Sequence, residues 1–191
     1  MPMSTYVPEP PPGLGDEIAG TVTDLIDART EEPVDDQAGG AAPQASWPAY
    51  HLGADALRSG DALSQVVPIG WLAVVQRAGL TALAELDVRA DASPEVRQVS
   101  YGDLAQGVAR LSEAARGLDD ELGGGAPLEQ RLLRVPACLF MGLWLHDDAD
   151  PSRDVVIPSE PTPPAFEAGR PYPMAEALET LAATVVEAPE P

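Results

Sequence analysis

Apolar positions along this chain fall into patterns of two kinds. Leu14, Ile18, Val22, Leu25 and Ile26 recur at spacings of three and four, one stripe of a helix over 14–28. Leu72, Val75, Leu83 and Leu86 read as a second stripe, opened by Pro68 and weakened at Gly79, which predicts a helix over about 69–86. Leu104, Val108, Leu111, Ala115 and Leu118 predict a third, over about 101–118. Ser100 with Asp103 resembles a capping box at its start, and Gly123-Gly124-Gly125 stops it. Pro127 opens a short helix through about Arg134, and Pro173 a last one over 174–186 with Ala175, Leu178, Leu181, Ala182 and Val185 on one side.

Residues 95–99 alternate polar and apolar, a short strand. Residues 138–146 are almost wholly apolar, and periodicity leaves strand and helix open there. The acidic, turn-rich stretch that follows, and then Val155-Val156-Ile157, favour a hairpin of 138–146 with 154–157. No repeat of 20–50 residues is visible. The expected fold class is α+β: a single small domain over 47–186, its helices packed on a short, mostly antiparallel sheet. Trp47, Tyr50 and Leu52 mark its edge, and the proline-rich stretch 158–173 wraps it as irregular chain pinned by Phe166 and Tyr172.

Charge and proline sharpen the division. The net charge is −20 over 191 residues, with no lysine and no asparagine. Residues 1–46 hold nine acids against Arg29, and 147–191 ten acids against Arg153 and Arg170. Residues 1–48 and 147–191 also hold 17 of the 21 prolines. Dense proline opposes regular structure, so residues 1–46 read as an extended acidic arm carrying a docking helix at 14–28, with a linker over 31–46 and a tail at 187–191. The Ala, Gly, Pro and Arg usage fits a high-GC bacterial or phage coding bias. An acidic surface disfavours nucleic acid and anionic membranes as partners. One cysteine excludes an internal disulfide and fits a reducing, cytoplasmic setting, or an assembly-associated one in a phage. The chain lacks a signal-peptide pattern and any run of about 18 apolar residues, so no membrane insertion is expected.

Candidate chemistry is sparse. Asp148, Asp150, Ser152 and Asp154 stand two apart like the first ligands of a calcium loop. The pattern then breaks, with Arg153 where Gly belongs and Ser159 where Glu belongs, so a solvated hairpin tip is the expected reading and no metal is favoured. His51 and His146, with the Asp147–Asp154 carboxylates, are the only groups from which a small hydrolase or metal-dependent enzyme could be built. Cys138 opens a buried apolar run and is expected to pack as a small hydrophobe. The glycine run 123–125 lacks the lysine of a phosphate loop. No cofactor is expected. These features favour a non-catalytic interaction component, an assembly, adaptor or scaffold protein. Its arms, through Leu14, Ile18, Val22, Leu25 and Ile26, would meet a protein with a basic or apolar groove. An acidic inhibitor or immunity protein blocking a basic site is the further alternative.

Overall fold

The computed structural model describes residues 5–29, 41–118 and 127–187. Most of the expected linker (30–40), the glycine run 123–125 and residues 188–191 lie outside them. The chain runs β1 (Thr5–Tyr6), α1 (Leu14–Glu17), a π-helical segment (Ile18–Val22), α2 (Thr23–Asp27), β2 (Pro43–His51), α3 (Ala54–Arg58), β3 (Val67–Arg77), β4 (Leu80–Val88) and β5 (Pro94–Tyr101). It continues with α4 (Asp103–Leu118), β6 (Leu128–Val135), β7 (Phe140–His146), β8 (Val155–Pro158), β9 (Tyr172–Pro173) and α5 (Met174–Glu187).

The class is α+β, but the sheet is large: nine strands in the order β5-β4-β3-β2-β6-β7-β8-β9, with β1 beside β6. Two stretches expected as helices supply the difference. Residues 67–88 are β3 and β4, an antiparallel hairpin closed by Ala78-Gly79. Both turn residues have positive φ, 51° and 76°, the backbone a two-residue hairpin turn requires. Gly79, read as a weak point in a helix, is that turn. Leu128–Val135 is a strand rather than a helix after Pro127. The capping box also fails: Ser100 is in β5, and Gly102, at φ 80°, precedes α4. The predicted strand 95–99, the hairpin 138–157 and the helices over 101–118 and 174–186 are present.

Strands β2 to β5 form an antiparallel meander followed by α4, and β6 to β9 form a second one followed by α5. The two units meet where β2 runs parallel to β6 over only three residue pairs, Ala49–His51 against Leu132–Arg134. Beyond that seam β1 takes the free edge of β6. Gln130 closes the junction: it accepts from Trp47 Nε1 at 2.9 Å and donates to Thr5 Oγ1 at 2.9 Å. α4 and α5 lie on opposite faces of the sheet.

Side chains alternate between those faces. Leu72 and Val74 of β3, Leu132 of β6 and Leu143 of β7 pack with Ala105, Val108, Leu111 and Ala115 of α4. On the other face, Leu133, Phe140, Trp144 and Val156 pack under α3 and α5. Ala73, Val75, Ala82, Ala84 and Leu86 pack under the N-terminal helical stretch.

That last contact corrects the docking-helix expectation. Leu14, Ile18, Val22 and Ile26 are at most 2% exposed, covered by the protein's own sheet. Leu25, counted on the stripe, is instead 45% exposed. The cause is the winding. Positions four apart drift by about 40° per step on an α-helix. The wider π segment at Ile18–Val22 takes up that drift, keeps all four residues facing inward, and turns Ile26 rather than Leu25 to the sheet. Arg77 Nε fastens the end of the helix by donating to Asp27 Oδ1 at 2.7 Å.

Candidate functional site

A dense polar cluster lies where β6, β7 and the loop before β8 converge. Register builds it: Arg131 pairs with Trp144, Glu129 with His146, and Val156 with Trp144 across adjacent strands. Asp154, at the end of the acidic loop, is 1% exposed. Its carboxylate accepts from Trp144 Nε1 at 2.8 Å and from the backbone N–H of Asp147 at 2.9 Å, and lies 2.8 Å from His146 Nδ1. A buried carboxylate surrounded by donors in this way fixes the loop and the orientation of the imidazole. His146 Nε2 lies 2.9 Å from Asp148 Oδ1, so both ring nitrogens are engaged by carboxylates.

Beside this group, the Arg131 guanidinium sits 5.0 Å from the ring centroids of both Tyr50 and Trp144. It also forms a two-pronged pair with Glu129, at 2.8 and 3.0 Å. Burial opposes the charge of Arg131, but the Glu129 hydrogen bonds and the nearby negative groups outweigh it and raise its pKa. Burial pushes the Tyr50 hydroxyl up as well. Tyr50, Leu63, Val66, Trp144, His146 and Pro151 line a depression of about 340 Å3 at this point.

The four residues spaced like calcium ligands do not converge. Asp148 turns to His146 and Arg131. Asp150 accepts from the backbone N–H and hydroxyl of Ser152, which holds its carboxyl below the usual range. Asp154 points into the core, and Asp147 pairs with Arg153. Among the described residues no group of His, Cys, Asp and Glu has a metal-holding arrangement. His51 is elsewhere: it lines a separate depression with Glu85, Gln98 and Arg134, so the two histidines do not form one site. Ser64, on the wall of the His146 depression, donates its hydroxyl to Asp61 Oδ2 at 2.7 Å rather than to the imidazole. Cys138 is buried, its thiol pushed up by that burial and directed at Leu181 O. The cluster is therefore satisfied from within, a brace for the β7–β8 hairpin.

Nine arginines pair with carboxylates: Arg58, Arg77, Arg89, Arg97, Arg110, Arg131, Arg134, Arg153 and Arg170. Arg29 lies over the Tyr101 ring, 4.3 Å from its centroid. These ten are all the arginines whose side chains are described. The meeting of Arg131 with Tyr50 and Trp144 is not legible in the sequence, because it depends on strand register and the pattern over 127–134 reads as a helix. No known protein-family model, no curated protein and no solved structure matches this chain.

Proposed function

We propose that this protein is a non-catalytic protein–protein interaction component, an adaptor or assembly protein, and that its partner offers a basic surface. The observation that carries this reading is the internal pairing of the cations. Ten arginines are spent within the fold, while the chain keeps a net charge of −20. Such a field steers a positively charged surface into contact and repels other polyanions. An inhibitor or immunity protein is the special case in which the basic surface is an enzyme's active site. The enzyme reading on His51, His146 and the 147–154 carboxylates has less support: the histidines line separate depressions, and both nitrogens of His146 are engaged.

Among the described residues no helix is long and apolar enough to cross a membrane. A cytoplasmic location is part of the proposal. The apolar stripe of the N-terminal helix is covered by the sheet, so the partner is met by charge rather than by that stripe. Affinity purification with the tagged chain at low and at moderate salt tests the reading. The expected result is a partner with a basic surface whose affinity, remeasured with purified components, falls about tenfold or more as salt rises severalfold. Salt-insensitive capture, or an acidic partner, overturns it.

A further inference from the structure

The His146 imidazole is gripped at both ends. Nδ1 lies 2.8 Å from Asp154 Oδ2, and Nε2 lies 2.9 Å from Asp148 Oδ1. The ring is held in that orientation, half under the surface and edge-on to Trp144, with 4.8 Å between the ring centroids. A neutral imidazole has one N–H and one lone pair, whereas imidazolium has two N–H groups. With a carboxylate at each nitrogen, only imidazolium donates to both. Loss of the proton sets a lone pair against one carboxylate, and one of the two contacts must open.

Burial decides which. The Asp154 side chain is 0% exposed, and that of Asp148 is 75% exposed. Taking the imidazole donor from Asp154 leaves a buried carboxylate short of a partner. Taking it from Asp148 costs little, because water replaces it. The neutral ring therefore keeps its proton on Nδ1 and lets Asp148 go. The remainder of the loop stays in place, since Asp147 is fixed by Arg153 and by the backbone N–H groups of Ala149 and Asp150.

The charged and titratable groups around the ring come from four elements. On β6, Glu129 stands opposite His146 and is bound by Arg131, whose Nη2 also lies 3.5 Å from Asp148 Oδ1. From β2 and β1 come Tyr50 and Tyr6, both hydroxyls pushed up chiefly by desolvation. The loop supplies Asp147, Asp148, Arg153 and Asp154. Of these side-chain types, histidine alone ordinarily changes charge between about pH 5 and 8. We infer that His146 and Asp148 form a proton-operated latch: the imidazolium holds the Asp148 carboxylate against β7, and the neutral ring releases it to solvent. Acidification thus neutralises and withdraws one carboxylate, and a rise in pH returns it. Where the proposed basic partner is met at this end of the molecule, the latch makes its binding depend on pH; that consequence rests on the reading above, whereas the latch itself does not.

The test uses the full chain, labelled with carbon-13 and nitrogen-15 and followed by NMR across about pH 5 to 9. At the acid end both ring nitrogens of His146 are expected to carry protons. At the alkaline end only Nδ1 does, and the Asp148 carboxylate carbon and the Ala149 amide move in the same step. The Trp144 indole and the Asp147 amide, both held by Asp154, stay protected from solvent exchange throughout. His51 lines a separate depression, so its own step leaves the loop unmoved. Asp148→Ala, at an exposed position, keeps the spectrum folded and abolishes the step at Ala149. A neutral ring protonated at Nε2, an Asp148 carbon that ignores the His146 step, or loss of Trp144 protection in that step overturns the latch. So does a ring that keeps one form across the whole range, or an Ala149 step that survives in Asp148→Ala. The titration involves no partner, so it can fail while capture of a basic protein succeeds, and the reverse.

Discussion

Ile18→Ala asks whether the N-terminal helix belongs to the fold. Ile18 is fully buried in the π segment, facing Ala73, Val75, Ala82, Ala84 and Leu86. Truncating a buried isoleucine to alanine costs about 2–5 kcal/mol, from lost transfer energy and the cavity left behind. Alanine recovers a few tenths of that through its higher helix propensity. A net loss of about 2–4 kcal/mol is expected, which for a chain of this size lowers Tm by roughly 5–15 °C. Leu25→Ala is the internal control: the side chain is 45% exposed one position from the stripe, and its removal should cost less than about 1 kcal/mol. Urea unfolding followed by far-ultraviolet circular dichroism, with equal slopes for both variants, gives the two values on one scale. If Ile18→Ala and Leu25→Ala agree within about 0.5 kcal/mol, the helix does not rest on the sheet, and an arm free to dock elsewhere becomes the better description.

Three further outcomes follow from particular contacts. Asp154→Asn leaves Trp144 Nε1, His146 and the Asp147 amide competing for one oxygen at a buried position, and chemical denaturation should register a loss of about 2–4 kcal/mol. Gly107→Ala in α4 places a Cβ 1.8 Å from the Glu160 carbonyl oxygen, so the loop after β8 must move away. Despite alanine's advantage in a helix, the variant should lose about 1–3 kcal/mol, and a rise in Tm would contradict the close approach. The Arg77 hydrogen bond holds the Asp27 carboxyl below its ordinary pKa, so the folded state favours the ionised form. That contribution is present above the usual aspartate value of about 3.9 and is lost as pH falls through the folded value. Asp27→Asn should therefore flatten the acid limb of a Tm-against-pH curve, and an unchanged limb would remove the pair from the account.

The parts that sequence reasoning found are those with one clear period or one clear turn. α4 has an apolar side and a polar side, and β5 at the sheet edge alternates. The hairpin of β7 and β8 is marked by its acidic loop. β3 and β4 escaped because both their faces are covered: Leu72 and Val74 go to one cluster, Ala73 and Val75 to the other. A strand buried on both sides loses its alternation. β6 escaped because Glu129, Gln130, Arg131 and Leu132 are good helix formers, and only the tertiary setting makes them a strand. The polar cluster was half legible. Asp154 and His146 were singled out, but as ligands or acid–base groups. Their actual partners, Trp144 and each other, are set by the β7–β8 register, which no local pattern encodes.

The parallel seam between β2 and β6 has a consequence for the order in which the molecule is made. Each meander is built from neighbours along the chain and can assemble early, whereas contacts between distant stretches carry the larger entropic cost and come late. The seam joins Ala49 to Leu132, and the strand beside it brings Thr5 to Leu128. Thr5 and Tyr6 are thus among the last residues to find their place, and β1 serves as a latch set on the edge of a finished meander.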